Sequence, residues 1–254
     1  MNDEMRGRWA LVTGAGGEIG RETALHLAAA GVNVVATDIA ADRAEATAHA
    51  VEAAGATAQA LPLDVGNFDA VTTGIAAASK RVGGFDYLVN SAGIDGVGAI
   101  EDLSPEFIAR VFTVNVYGIF YACRAVLPAM MARRRGAIVN VASVHAQNGQ
   151  ANAATYAATK GAIISFTKSL AREKAASGIR ANAVAPGPIN TALWRGGDAG
   201  ERLEQRIRER IKVIPLARIG MPSDVAGVIV FLLSPAAAFV TGQVVPVGGG
   251  EIMR

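Results

Sequence analysis

An apolar run, a glycine cluster and a helical pattern follow one another within the first thirty residues, and that order constrains the fold more than any other feature. Trp9–Thr13 reads as a short strand that runs into Gly14-Ala15-Gly16-Gly17-Glu18-Ile19-Gly20, and a helical pattern continues through Ala30. Strand, glycine-rich turn and helix in this order build a phosphate cradle. Backbone N–H groups at the helix N-terminus face an anion, and glycines let it come close. Gly31 ends the helix, and residues 32–37 form a second strand closed by Asp38.

Asp38 stands 18 residues beyond Gly20 (38 − 20). A carboxylate there accepts hydrogen bonds from both hydroxyls of an adenosine ribose and repels a 2′-phosphate. Its structural alternative is to cap a helix expected near 42–54, a task for which Asp42 is better placed. NAD is therefore the expected cofactor and NADP the less favoured one. Neither Gly17 nor Ile39 brings a cation for a 2′-phosphate, although Arg43 is not far away.

A third strand at 57–63 ends in Asp64-Val65. Asp64 has two readings, a contact to an adenine amino group or a cap for the helix that begins near Asn67. The helix Phe68–Val82 and a strand at 86–89 lead to Asn90-Ser91-Ala92-Gly93, whose small side chains let a flat cofactor pass over the backbone. Ser104 and Pro105 read as N-cap and first residue of a helix expected to run to about Arg133. Asn115 falls inside it among Val111, Phe112, Val114 and Val116, and a buried amide there must find partners. It serves either as a structural tie or in a polar relay.

A strand at 137–142 then delivers Ser143, and a helix at 154–176 carries Tyr156 and Lys160. A strand at 179–184 precedes Pro186-Gly187-Pro188-Ile189-Asn190-Thr191. Residues 192–212, a Gly196-Gly197 pair followed by an amphipathic charged helix, read as a mobile substrate lid. Pro222–Leu233 is a further helix and 243–247 a last strand. Strands alternate with helices without linker or repeat. That predicts one domain over 1–254, an α/β fold with one parallel sheet covered on both faces.

Composition narrows the function. Apolar residues make up 51% and aromatics 6%, which suits helices packed closely on a sheet rather than an aromatic-rich binding module. A formal charge of +2 is too small to argue for nucleic acid, and no such partner is expected. The run Arg133-Arg134-Arg135 reads as a solvated helix end. Cys123 is the single cysteine, so no intrachain disulfide forms. His26 and His49 fall on helices facing solvent, and no cluster of His, Cys and carboxylates marks a metal site. The charged N-terminus shows no secretory segment. No apolar run reads as long enough to span a bilayer, because Ser234 and Pro235 interrupt the best one near 228–233. The expected location is the cytoplasm, without a membrane partner.

The chemistry concentrates in 143–160. Tyr156 and Lys160 are four residues apart and share a helix face. A phenol titrates near pH ~10, and a nearby ammonium would lower that value toward the working range. Ser143 lies 13 residues before Tyr156 (156 − 143), at a strand end, and can offer a hydroxyl to the same substrate oxygen. A hydroxyl–carbonyl interconversion follows, with Tyr156 moving the proton.

With these residues in hand, the chain resembles the short-chain dehydrogenase/reductase family over nearly its whole length. The matching residues are Thr13-Gly14 with Gly20, Asp38, Asp64, Asn90-Ser91-Ala92-Gly93, Asn115, Ser143, Tyr156-x-x-x-Lys160, and Pro186-Gly187 with Thr191. The resemblance implies a Rossmann-type doubly wound, mostly parallel sheet of about seven strands with helices on both faces. It implies a catalytic tetrad of Asn115, Ser143, Tyr156 and Lys160. Lys160 would also hold the nicotinamide ribose, and Asn115 would anchor a proton-relaying water. Gly14, Gly17, Glu18, Ile19 and Gly20 would cradle the cofactor. Asp64, Val65, Asn90, Ala92, Gly93, Pro186 and Gly187 would flank it, and Ile189 and Thr191 would contact its carboxamide and phosphates. Such enzymes are usually homotetramers built on the helices that here carry Asn115 and Tyr156.

Two positions depart from the family pattern. Glu18 replaces a glycine, and a carboxylate beside a pyrophosphate repels it unless the side chain turns away or the helix dipole offsets the charge. Gly248 follows the last strand where relatives often carry Asp.

The substrate side is expected to comprise Ser143, Tyr156, His145, Gln150 and Trp194, with Gln147 and Asn148 in the same polar loop. That loop would favour a substrate with further hydroxyls or carbonyls, or is simply exposed. Trp194 covers an apolar substrate or packs the lid shut, and Arg195 is placed to meet an anionic group. Three functions remain: an NAD-dependent dehydrogenase of a small secondary alcohol, sugar or cyclic alcohol, a 3-oxoacyl carrier-protein reductase using NADPH, or a non-catalytic dinucleotide sensor. The second is suggested by Pro215-Leu216-Ala217-Arg218-Ile219-Gly220 and Thr241-Gly242, and Asp38 opposes it. The third has no need of Ser143, Tyr156 and Lys160 together.

Overall fold

Seven strands lie side by side among residues 4–253, which the computed structural model describes. They are β1 (Trp9–Thr13), β2 (Asn33–Asp38), β3 (Ala58–Pro62), β4 (Tyr87–Asn90), β5 (Gly136–Val141), β6 (Ile179–Pro186) and β7 (Val244–Val247). Their order is β3-β2-β1-β4-β5-β6-β7, and every pairing is parallel. Val-rich strands such as β5, buried along its whole length, suit a sheet covered on both faces.

Helices α1 (Glu18–Ala29), α2 (Ala41–Ala53) and α10 (Pro222–Leu233) cover one face, burying Leu27, Val51, Ile229 and Leu232 against β1 and its neighbours. On the other face lie α3 (Phe68–Val82), α5 (Gly118–Ala132) and α7 (Ala154–Lys174), packed through Ile75, Ile119, Val126, Ile163 and Leu170. Inside the sheet, Asn90 donates to Asn140 at 2.8 Å and Asn140 to Thr167 at 2.9 Å, tying β4, β5 and α7. The Arg180 guanidinium donates to the carbonyls of Leu232, Leu233 and Ser234, satisfying the C-terminal end of α10.

Expected boundaries hold where the chain carries a cap. Asn67 accepts from Ala70 N at the start of α3, and Ser104 accepts from Phe107 N at the start of α4 (Pro105–Phe112). The long helix expected from Ser104 is not uniform. After α4 the chain makes a π turn over Thr113–Tyr117 before α5 begins. Three β-branched residues, Thr113, Val114 and Val116, crowd that turn, and their stiff side chains fit a standard helix less well. The stretch Pro105–Ala132 is 28 residues long, and an 18-residue window within it has a mean hydropathy of 1.3, enough by length and composition to cross a membrane. That corrects the expectation that no such run exists; here the stretch packs against the sheet, α3 and α7.

Asp42 does not cap α2: the helix starts at Ala41 with Ala40 as an uncapped first position. His145–Asn148, expected as loop, form a single helical turn, α6. Residues 192–212 contain two helices, α8 (Ala192–Arg195) and α9 (Gly200–Ile211). The strand order reverses between β1 and β4, and the C-terminal ends on either side open a crevice there.

Candidate active site

The crevice begins at the turn after β1. Gly14 has φ +64°, and a Cβ on it would stand 2.6 Å from the Ala92 Cα. Only glycine lets the turn lie against the backbone leaving β4. The turn feeds the N-terminus of α1, whose first N–H groups have no partner within the helix. Gly17, Glu18, Ile19 and Gly20 line the cleft there. This is the geometry of an anion cradle, and it fits the pyrophosphate of a dinucleotide.

At the cradle's edge Asp38 closes β2. One carboxylate oxygen accepts from Gly16 N at 2.9 Å and the other from Ala40 N at 3.1 Å. Two acceptor bonds fix the carboxylate and leave lone pairs for an adenosine ribose. Ile39 beside it is 71% exposed, an apolar platform next to that edge. Asp64 is exposed and accepts from Gly66 N at 2.8 Å, while Asn67 caps α3. The capping alternative for Asp64 is therefore excluded. Val65 is buried against Gly118. Asn90 Nδ2 donates to Asn140 Oδ1 and to Cys123 Sγ, which points this side chain into the sheet, while its Oδ1 is buried without a partner. Ser91, Gly93, Ile94 and Asp95 form the wall beyond it.

Glu18 answers its own electrostatic problem. Its carboxylate is engaged by donors, accepting from Ala192 N at 2.8 Å and from Arg195 at 3.0 Å. Arg195 also donates to Asn190 Oδ1 at 2.9 Å. The anion that Arg195 meets is thus Glu18, and the 192–195 helix is tied directly to α1.

Opposite the cradle, β5 and α7 bring the reactive groups together. Ser143, 5% exposed just beyond β5, accepts from His145 N at 3.2 Å. Tyr156 and Lys160 come from the first two turns of α7, with the ammonium 5.5 Å from the Tyr156 ring centroid. Lys160 is buried and donates to Val141 O at 2.9 Å. Burial lowers its pKa from 10.5 to about 8. Burial also pushes the Tyr156 phenol up to about 12, against the pull of its hydrogen bond with Ser143; Asp95 adds to the rise. This reverses the direction expected from the Tyr–Lys pairing. Desolvation of the buried phenol sets the direction.

Asn115 is fully buried in the π turn. Its Oδ1 accepts from Ile94 N at 2.8 Å, and its Nδ2 donates to Ile94 O at 2.9 Å and to Thr159 at 3.3 Å. It is a structural tie, and it adjoins Lys160 across Gly93: a Cβ on Gly93 would lie 3.3 Å from Asn115 Oδ1 and 3.6 Å from Lys160 Nζ.

Pro186, Gly187, Ile189 and Thr191 line the far end of the cleft. A Cβ on Gly187 would stand 2.8 Å from the Gly248 Cα, so these two backbones pack side by side. Thr191 caps α8 by accepting from Trp194 N at 3.2 Å. Trp194 faces the cleft with the Arg206 guanidinium 4.7 Å above its ring. His145 stands edge-on to Tyr156, with ring centroids 6.3 Å apart, and Gln150 lies nearby. Asp95, Arg206 and Glu251 escaped the sequence reading. Asp95 sits two residues past a motif already recognised, and nothing local flags the other two.

Comparisons with known proteins find relatives over nearly the whole chain. A family model described as enoyl-(acyl carrier protein) reductase matches residues 14–251. The chain is 35% identical to 2-(S)-hydroxypropyl-CoM dehydrogenase 3 of Xanthobacter autotrophicus, over 98% of each chain. It is 36% identical to a 3-oxoacyl-[acyl-carrier-protein] reductase of Thermotoga maritima, over 98% of this chain and 99% of that one. A solved structure of NAD+-bound xylitol dehydrogenase superposes with a TM-score of 0.91 at 33% identity, covering 98% of this chain and 100% of that one.

Proposed function

The chain belongs to the short-chain dehydrogenase/reductase family and is an oxidoreductase, and on that premise we propose that it interconverts a secondary alcohol and a ketone with NAD, Tyr156 serving as acid and base. The observation that carries this is the convergence of Ser143, Tyr156 and Lys160 on the cleft wall facing the α1 cradle. Bound NAD would supply the hydride acceptor.

Ser143 and Tyr156 hold the substrate oxygen. In oxidation the hydroxyl proton passes to the Tyr156 oxygen as the carbinol C–H leaves as hydride and the C=O bond forms. In reduction Tyr156 returns that proton to the carbonyl oxygen. A phenol that holds its proton as tightly as this one needs positive charge to become a base, and Lys160 is placed to supply it. Asn115 fixes the Ile94 backbone and the α7 turn behind Lys160, and it is proposed as the fourth member of the group. Segment 192–211 acts as the lid, latched by Glu18.

Asp38 supports NAD, since its fixed carboxylate faces where a 2′-phosphate would lie. One observation favours a second reading, a 3-oxoacyl carrier-protein reductase with NADPH: Arg43 packs against Gly16 beside Asp38. Titration with NADH and NADPH, followed by nicotinamide fluorescence, separates them. Preference for NADPH would overturn the role given to Asp38. The expected enzyme is a cytoplasmic homotetramer. Tyr117 and Phe120, half exposed near Asn115, supply an apolar surface for it, and sedimentation velocity checks its size. Tyr156→Phe is expected to keep NADH binding and lose turnover of secondary alcohols; near wild-type turnover would refute the mechanism.

A further inference from the structure

Beside the main cleft lies a second cavity, sharing His145, Gln150, Trp194 and Arg206 with it and extending to Asn148, Arg210 and Glu251. Its walls come from α6, α9 and the segment after β7. Glu251 Oε1 pairs with Arg210 at 2.6 Å, while Glu251 Oε2 is buried with no hydrogen-bond partner. His145 Nδ1 is likewise buried and unpartnered. Among the described residues only five side-chain atoms are in that condition, and two of them belong to residues that line this cavity. A Cβ on Gly187 would lie 3.7 Å from Glu251 Oε2, which places that oxygen next to the main cleft.

Orphaned polar atoms in a cavity beside a reactive centre define what would satisfy them. A carboxylate oxygen only accepts, so it calls for a donor. Burial and the Arg210 charge lower the His145 pKa and hold the ring neutral, able to donate or accept at Nδ1. Arg206 and Arg210 disfavour an ammonium as the donor. A ketone or ether has no proton to give. A hydroxyl meets both needs, donating to Glu251 and pairing with His145. His145 stands 6.3 Å from the Tyr156 ring, so such a hydroxyl falls within the reach of one small molecule spanning both groups.

Resting on the alcohol–ketone reading above, we propose that the substrate is polyhydroxylated, its reacting carbinol at Tyr156 and a second hydroxyl held by Glu251 and His145. The test compares NAD-dependent oxidation of trans-1,2-cyclohexanediol and xylitol with that of cyclohexanol and 2-butanol. Wild type is expected to favour the polyols in kcat/KM. Glu251→Gln and His145→Ala, each checked for folding by circular dichroism, are expected to shrink that preference roughly tenfold, the worth of a hydrogen bond to a charged group. Equal or better use of the mono-alcohols by wild type would overturn the subsite and leave the hydride-transfer reading standing. A preference that both folded variants retain would do the same. Oxidation of none of these alcohols by wild type, with no reduction of the matching ketones, would overturn both.

Discussion

Replacing Lys160 with methionine should stabilise the protein at neutral pH while abolishing its turnover. Burial moves the Lys160 pKa from 10.5 to about 8, roughly two and a half units at about 1.4 kcal/mol each, so the buried charge costs the fold about 3 kcal/mol below pH 8. Methionine removes that cost and fills similar volume. It also removes the 2.9 Å hydrogen bond to Val141 O, a loss of about 1–2 kcal/mol. The variant should therefore be more stable than wild type by about 1–2 kcal/mol at pH 7.

The sign changes with pH. Between pH 8 and 10.5 the unfolded chain holds the Lys160 proton and the folded chain has released it, so wild-type stability rises relative to the variant through this window. The order should reverse between about pH 9 and 10, where the remaining charge penalty falls below the value of the hydrogen bond. Cys123 and Tyr156, both raised to about 12 by burial, lower stability at high pH in both proteins. Urea unfolding at fixed protein concentration across pH 7–10 measures it. A variant less stable than wild type at pH 7, or a gap that does not narrow by pH 10, would refute the reasoning.

Asp38→Ser should reduce the preference for NADH over NADPH roughly tenfold or more, the worth of a hydrogen bond to a charged group, as read by fluorescence titration. Glu18→Gly removes the acceptor that holds Ala192 N and Arg195, and limited proteolysis should then cut faster around Gly196 and Gly197; unchanged cutting would remove the latch. Asn115→Ala orphans the N–H and C=O of Ile94 and should cost about 2–5 kcal/mol in urea unfolding, whereas a cost near zero would mean that the tie is not structural.

What the sequence made legible followed local signals. Phe68–Val82 and Pro222–Leu233 were readable to the residue because Asn67 and Pro222 mark their starts. The Gly14–Gly20 turn and the strand-end Ser143 announced the two walls of the cleft. Glu18 was legible as a departure and not as a latch, because its partner Arg195 lies 177 residues away. Glu251 carried no signal, since its meaning comes from Arg210 and Gly187, which only the tertiary fold brings to it. The direction of the Tyr156 shift was misread for a related reason. A four-residue spacing reveals a neighbour, whereas burial is set by the whole cleft.

The π turn at Thr113–Tyr117 makes chain length at this point part of the site. Val111, Asn115 and Ile119 all face inward although eight residues separate the first from the last. In a regular helix eight residues overshoot two revolutions by about 80°, which would swing either the amide or the apolar stripe out of line. The wider turn absorbs the overshoot, so one surplus residue keeps Asn115 and the buried stripe of α5 in phase. Losing a single residue here would cost the protein that alignment, whatever residues remained, whereas a surface loop of the same composition could shorten freely.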